Sequence, residues 1–391
     1  MKITVPTIDF GTSKIVTMVA QSNGERCDIV GSGAVPYSGY LQDGWNNPDE
    51  IRDAIRTAID QAQKTGNCRI HELNVGVPGM FTRVIVKEVH VSLTGPDPHV
   101  TAQDVRACFK LAEESGGDRI IHSAPAWFRV DDGKKTLSPV GIKGRELSAM
   151  IALVTADKYF IDDITYRLRD MDIEPREFYS TVAGEATYAL SQDERDKTAM
   201  LIDIGYLCTD VMVMEGDALI FHKCLDIGGG HISADIAEQL NIPFPFVEEK
   251  IKQTYSFNST NQDETYVIPA TEDEPARTVR RDEVTPIIEA KVEEIAEAIN
   301  KALEEGGVKL GKWSNVYLTG GGLILNKGGK DFLAGKLHRI IREAQRTNNK
   351  MTSHVFSSAV GLTILVVTTQ EEQKAPEGGA KGLFSRAFRW L

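Results

Sequence analysis

Apolar residues keep a strand rhythm from the start of the chain. Ile3–Val5 and Thr7–Phe10 lead into a tight Gly11-Thr12-Ser13-Lys14 turn, and Ile15–Ala20 returns from it. Asn23-Gly24 marks a second turn into Cys27–Gly31. The period then changes. Asn47 stands as cap, Pro48 takes the first helical position, and Ile51, Ala54, Ile55, Ala58, Ile59 and Ala62 share one face of a helix that Gly66-Asn67 ends. Leu73–Val77 is a buried strand.

From about Phe81 to Phe160 the pattern describes a smaller unit. It has strands at Val84–Val91, Arg119–Val130 and Glu146–Val154, and a helix opened by Thr101 with Asp104 three residues on. Asp131–Gly144 is a turn-rich loop. Helices follow at Asp157–Arg169 and Ser180–Leu190, then a strand at Thr198–Ile204 and a hairpin turning at Glu215-Gly216-Asp217. Gly228-Gly229-Gly230 precedes a helix at Ser233–Leu240. Ser256–Arg281 is polar and irregular, a long helix spans roughly Thr285–Glu305, and the strand Asn315–Leu318 runs into Thr319-Gly320-Gly321-Gly322.

Composition sets bounds on this plan. The 391 residues are 41% hydrophobic and 26% charged, with a net charge of -12. Such a chain builds an ample core in two or three domains, and its acidic surface repels nucleic-acid backbones. Five cysteines without a CxxC pair indicate a reduced, cytosolic chain without a disulfide framework or zinc site. The eight histidines form no ligand-spaced pair. No signal peptide is expected at the N-terminus, and Val360–Val367 is far shorter than the roughly 20 residues a membrane span needs.

Three glycine loops, each directly after an apolar strand, carry the candidate chemistry: Asp9-Phe10-Gly11-Thr12-Ser13-Lys14, Asp203-Ile204-Gly205-Tyr206-Leu207-Cys208-Thr209-Asp210, and Leu318-Thr319-Gly320-Gly321-Gly322. Glycine lets backbone N–H groups approach an anion closely, and Asp9 and Asp203 end strands where a carboxylate can hold a hydrated Mg²⁺ on phosphates. Asp226-Ile227-Gly228-Gly229-Gly230 competes with Asp203 as the second loop, but it precedes a helix and lacks the Thr-Asp that follows in Thr209-Asp210.

Three such loops in this order resemble the actin/Hsp70/sugar-kinase ATPase superfamily over essentially the whole chain. The resemblance implies an α/β, actin-like two-lobe ATPase fold. It places Gly11, Thr12, Ser13 and Lys14 at the β/γ-phosphates of ATP, Asp9 and Asp203 near Mg²⁺ through water, Gly205 and Thr209 in the second phosphate loop, and Gly320, Gly321 and Gly322 at the adenosine. Gly228, Gly229 and Gly230 would cover the nucleotide or close the cleft. Glu249 and Lys252, at i, i+3 on one helix, either hold the ribose hydroxyls or form a solvated surface pair. Glu185 either places the attacking water or merely caps and solvates its helix. Tyr206, Leu207 and Cys208 stand where this loop usually has small residues, so ATP binding with weak or no hydrolysis is expected.

The unit at 82–160 is similar to the small α+β subdomain inserted in the first lobe of the FtsA family of bacterial cell-division actin homologues. His122-Ser123-Ala124-Pro125-Ala126-Trp127-Phe128-Arg129-Val130-Asp131 and Pro139-Val140-Gly141-Ile142-Lys143-Gly144 also resemble that family. The resemblance implies a first lobe from 1–81 and 161–195, a polymer-contact insert at 82–160, and a second lobe at 196–350 with a partner-binding subdomain at about 241–310. A helix at 351–369 would return to the first lobe, followed by a linker at 370–380 and an amphipathic membrane-targeting helix at 381–391. It further implies a filament that tethers the tubulin-like FtsZ ring to the cytoplasmic membrane at the septum and recruits later division proteins. Arg277, Arg280 and Arg281 are either a solvated loop or a site for that partner's acidic, apolar tail. The alternatives are a pilus-assembly actin homologue, which should lack the tail, and a sugar or acetate-type kinase, which needs a catalytic base that the sequence does not offer.

On a helix, Leu383, Phe384, Ala387, Phe388 and Leu391 form one apolar stripe, while Lys381, Arg386 and Arg389 supply positive charge without an acid in the segment. Trp390 suits the headgroup boundary of an anionic membrane surface. Such a helix lies in the interface, and Gln370–Ala380 gives it reach.

Overall fold

A computed structural model of the chain describes residues 3–41, 44–114, 116–117, 119–261, 263–270, 275–311, 314–344 and 353–373. Strands β1 (Ile3–Phe10), β2 (Lys14–Ser22) and β3 (Cys27–Pro36) run antiparallel in succession, with Phe10 opposite Ile15 across the first tight turn. The helix α1 (Pro48–Gly66) buries the six apolar residues its periodicity marks, and Asn67 closes it in the left-handed region at φ 45°. Asn47 occupies the cap position, yet its side chain makes no capping hydrogen bond; Pro48 and the acidic Asp49 and Glu50 start the helix instead. Strand β4 (Glu72–Val77) lies parallel to β1.

The inserted segment holds β5 (Thr82–Ser92), α2 (Ala102–Glu114), β6 (Ile120–Val130) and β7 (Glu146–Ala156) in a sheet of order β5-β7-β6. Thr101 and Asp104 exchange reciprocal capping bonds of 2.8 and 3.3 Å at the start of α2. Val105, Cys108 and Ala112 of that helix pack on Phe128, Leu147 and Ile151. Thr82 faces Ala156, so the segment leaves and rejoins the chain at one place.

Asp157 caps α3 (Lys158–Arg169) by accepting from the Tyr159 N–H at 2.7 Å. Strand β8 (Glu174–Ser180) joins β4 in parallel; its sequence, EPREFYS, has too little apolar alternation to announce a strand. Ser180 caps α4 (Thr181–Ala189). Next come β9 (Ala199–Ile204), β10 (Thr209–Glu215), β11 (Ala218–Leu225) and α5 (Gly229–Gln239), whose first turn takes in two of the three glycines expected in a loop. Strands β12 (Thr265–Ile268) and β13 (Arg277–Arg280) pair within the stretch expected to be irregular, and bury Tyr266, Ile268 and Val279. The helix α6 (Arg281–Glu305) starts four residues before the expected Thr285 because Glu283 accepts from the Arg280 N–H at 2.8 Å. The last elements are β14 (Asn315–Thr319), α7 (Gly329–Leu337), β15 (Ile341–Glu343) and α8 (Ser357–Gln373).

Two five-stranded sheets result, of order β8-β4-β1-β2-β3 and β11-β10-β9-β14-β15. One compact unit comprises Met1–Leu201, Met212–His222 and the described part of Gln345–Leu391; the other comprises Ile202–Val211 and Lys223–Ala344. In the first unit the sheet is covered on both faces. Ile8, Ile15, Ile55, Ile59 and Phe160 form the core toward α1 and α3, while Val5 with Leu362 and Val366, and Met18 with Val360, form it toward α8. The Thr7 and Thr363 hydroxyls meet at 2.8 Å in that second layer, so the buried polar pair satisfies itself. Among the described residues no helix is long and apolar enough to cross a membrane.

Candidate functional site

In the unit built on Ile202–Val211 and Lys223–Ala344, three glycine segments converge on one point. Strand β9 delivers Asp203, half-buried, into a turn closed by the Gly205 N–H on the Cys208 carbonyl at 2.9 Å. The Gly229 and Gly230 N–H groups donate to the carbonyls of Gly205 at 2.9 Å and Tyr206 at 2.7 Å, and the Gly322 N–H donates to Ile204 at 2.7 Å. Gly320 adopts φ +86°, and a Cβ there would collide with Asp203 Oδ1 and the Ile204 carbonyl. A Cβ on Gly229 would collide with Gly322. The glycines at 228–230 therefore bolt loop to loop. Their N–H groups are spent on carbonyls, with that of Gly228 on His231 Nδ1 at 3.1 Å, so they form no open anion cradle. The Thr209 hydroxyl donates to the Ile227 carbonyl at 2.6 Å and braces the same junction. Asp226 is exposed, in contrast to Asp203.

The pair expected at Glu249 and Lys252 is rearranged. Val247–Lys252 winds as a π-helix, which brings i and i+4 onto one face in place of i and i+3. Lys252 accordingly bonds Glu248 at 3.3 Å, and Glu249 is exposed. Lys252 is buried with its ammonium 5.7 Å from the centre of the Tyr206 ring, and desolvation, offset in part by Glu248, holds its pKa below the ordinary lysine value. Asn326 clamps the end of this turn by donating to the Lys252 carbonyl at 2.6 Å. Tyr206 stood out in the sequence as an aromatic in place of a small residue, but not as a partner of Lys252; Asn326 did not stand out at all.

In the other unit, β1 carries Asp9 one residue before its end, and the side chain is buried. Its Oδ2 accepts from the Ser358 hydroxyl at 2.9 Å, and its Oδ1 is buried without a hydrogen-bond partner. Burial pushes its carboxyl from 3.8 up to about 6, against the lowering effects of Ser358 and Lys14. The turn after it is rigid. The Gly11 N–H bonds the Lys14 carbonyl at 3.0 Å, Tyr37 donates to the Gly11 carbonyl at 2.7 Å, and Tyr40 donates to that of Phe10 at 3.0 Å. Thr12 is buried, Ser13 half-buried, and the Lys14 ammonium lies 5.3 Å from the Phe356 ring centre. Glu185 is buried where α4 crosses α8: a Cβ on Gly361 would lie 2.6 Å from Glu185 Cα.

A buried carboxylate with an orphaned oxygen is a group in want of a cation. Among the described residues no cluster of three or more His, Cys, Asp or Glu side chains is arranged to hold a metal. A divalent ion beside Asp9 would thus draw most of its ligands from water and a bound anion, the habit of Mg²⁺ on phosphates.

The arginine cluster is largely engaged. Arg281 is buried, donates to Glu264 at 3.0 Å and stacks 4.3 Å over Tyr255; Arg277 donates to the Leu240 and Asn241 carbonyls. Arg280 is exposed and pairs with Asp282. The segment 381–391 lies outside the described residues.

Comparison with known proteins gives consistent results. The model of Cell division protein FtsA matches residues 200–361, and that of the SHS2 domain inserted in FtsA matches residues 79–155. The chain is 24% identical over 376 residues to Cell division protein FtsA of Pseudomonas aeruginosa, covering 93% of this chain and 89% of the relative. It is 22% identical to that of Neisseria meningitidis, covering 99% and 97%. Among solved structures, a PilM-PilN type IV pilus biogenesis complex superposes with TM-score 0.61 at 16% identity, covering 93% of this chain and 99% of the other. MreB5 of Spiroplasma citri bound to ADP superposes with TM-score 0.56 at 11% identity, covering 95% and 99%. With an actin-like fold, the inserted domain in place and relatives matched almost end to end, the chain belongs to the FtsA family of cell-division proteins.

Proposed function

We propose that the protein binds ATP with Mg²⁺, assembles into actin-like protofilaments, and fastens the FtsZ ring to the cytoplasmic face of the membrane at the division septum. The observation that carries the nucleotide part is Asp9: a buried carboxylate, one oxygen unpartnered, at the head of a turn locked by Tyr37 and Tyr40. Bound Mg²⁺ would neutralise phosphate charge. Asp9 and Asp203 would orient its hydration shell, Gly11–Lys14 and the second loop at Gly205 and Thr209 would meet the phosphates, and Gly320–Gly322, with Lys252 at the ribose, would form the nucleoside side. Hydrolysis is expected to be weak, because Tyr206, Leu207 and Cys208 crowd the second loop and Cys208 is buried against the Cys224 thiol.

The insert is proposed as the contact between subunits, the tail 381–391 as the membrane anchor, and the Arg277–Arg281 region, with Arg280 outermost, as a site for the partner's acidic tail. These readings rest on family membership and on charge and amphipathic pattern. Electron microscopy on anionic lipid monolayers with ATP, with and without residues 381–391, tests them together. Filaments on the lipid that vanish with the tail support the reading; filaments bound equally well without it refute the anchor.

A further inference from the structure

A cavity of about 480 Å³ opens in the first unit between the insert and α8. Ile121 and His122 of β6, Tyr179 of β8, and Leu365, Thr368 and Glu372 of α8 are among the residues that line it, as are Glu113 and Asp217. Its volume is in the roughly 300–1,000 Å³ range of pockets that bury a ligand of drug size, the bulk of two or three large apolar side chains. No Lys or Arg is among the described lining residues. His122 adds no positive charge at neutral pH, since burial pushes its pKa down to about 4. Three carboxylates, Glu113, Asp217 and Glu372, are thus set against no basic residue among the described lining residues, although Asp217 pairs with the buried Arg195 at 3.2 Å and Glu113 accepts from the Ser123 hydroxyl at 3.0 Å.

The chain itself carries a matching ligand. Residues 381–391 combine Phe384, Phe388, Trp390 and two leucines with three basic residues and no acid. Glu372 is one residue short of the end of α8, and only residues 374–380 intervene before Lys381. Seven residues extend to at most about 25 Å, whereas the cavity wall from Leu365 to Glu372 rises only about 10 Å along the helix. The tether therefore suffices to double back. A segment so tethered experiences an effective concentration on the order of millimolar.

We propose that this cavity receives the chain's own C-terminal segment 381–391 whenever that segment is off the membrane, an internal dock that competes with lipid. The competition, though not the docking, rests on the reading of the tail as the anchor. For a dock with a dissociation constant of about 100 µM, millimolar tethering leaves about a tenth of the tails free and weakens apparent lipid affinity about tenfold.

The full chain, with p-benzoylphenylalanine in place of Phe388, is irradiated in the absence of lipid and its adducts are mapped by mass spectrometry. The expected result is an intramolecular adduct to residues 120–124 or 365–372. The adduct should be suppressed by phosphatidylglycerol vesicles and by excess free peptide of the sequence 381–391. Thr368→Trp, which fills the cavity, and Glu372→Lys, which reverses its charge at the surface, should each remove the adduct and tighten vesicle binding threefold to tenfold. Adducts mapping elsewhere, or joining two chains, would overturn the internal dock. Loss of the adduct without any gain in vesicle binding would overturn the competition. The cross-link is read without lipid, so it stands or falls separately from the anchor.

Discussion

At the scale of single residues, Asp9 offers the sharpest test. Its carboxyl titrates near 6 in the folded chain and near 3.8 unfolded, so the fold favours the protonated form. The sign follows: stability contributed by this group is highest below pH 4 and falls as pH rises through about 6. Holding it ionised at neutral pH costs about 3 kcal/mol. Asp9→Asn should therefore raise the melting temperature of ligand-free protein at pH 7, with the gain shrinking toward pH 4, while abolishing stabilisation by Mg·ATP. A gain that does not vary with pH would refute the buried-carboxylate account. Gly320→Ala is expected to lose at least about 2 kcal/mol of stability and nucleotide binding together, since the new Cβ meets both a left-handed φ and Asp203. Denaturant melts with a fluorescent ATP analogue read both losses. The strand-end aspartates and glycines were legible because each follows an apolar run. The Lys252–Glu248 pairing was not, because π winding is a tertiary adjustment around Asn326 and leaves no periodic signature.

At the scale of elements, the insert leaves and rejoins the chain at one place, although its strand β6 also packs on Ala218. Thr82 and Ala156 are direct partners across β5 and β7, and the Asp157 N–H returns to the Phe81 carbonyl at 2.8 Å. Replacing 83–155 with a short turn should leave the first sheet and ATP binding intact and eliminate filaments on lipid monolayers. Filaments that persist would move the subunit contact elsewhere. A second element rests on close approach: Gly184 and Gly361 let α4 and α8 touch backbone to backbone. Gly361→Val should unfold the protein or lower its melting temperature by 10 °C or more, as a clash with backbone on both sides predicts. Circular dichroism melts would show it. Helices α1, α2 and α3 were readable from period and caps. Strands β8, β12 and β13 were not, since four to seven residues with charges interspersed acquire strand conformation only from a neighbouring ladder.

At the scale of the whole molecule, the net charge of -12 opposes adsorption to anionic lipid, so attachment must be local. Each basic residue of 381–391 contributes on the order of 1 kcal/mol near such a surface. One copy then binds marginally and a filament of many copies firmly. Phe384→Glu or Trp390→Glu should release the protein from phosphatidylglycerol vesicles in co-sedimentation and leave ATP binding unchanged. Retention of both variants on vesicles would show that the tail is not the anchor.

The amino-acid sequence by itself determined most of the helices, the strands that lead into the glycine loops, the family and the three loops, because hydrophobic period, caps and strand-end glycines are local signals written in adjacent residues. Only the tertiary structure decided what those loops do to one another. The N–H groups of Gly229 and Gly230 close on Gly205 and Tyr206, the Glu-x-x-Lys spacing gives way to Glu248–Lys252, and Asp9 is left with a bare oxygen in the interior. It also decided that a charge-bearing cavity lies beside the end of α8. The physical reason is the same in each case. Whether a donor is spent, a carboxylate desolvated or a pocket left open depends on which distant backbone arrives next to it, and sequence separation carries no record of that arrival.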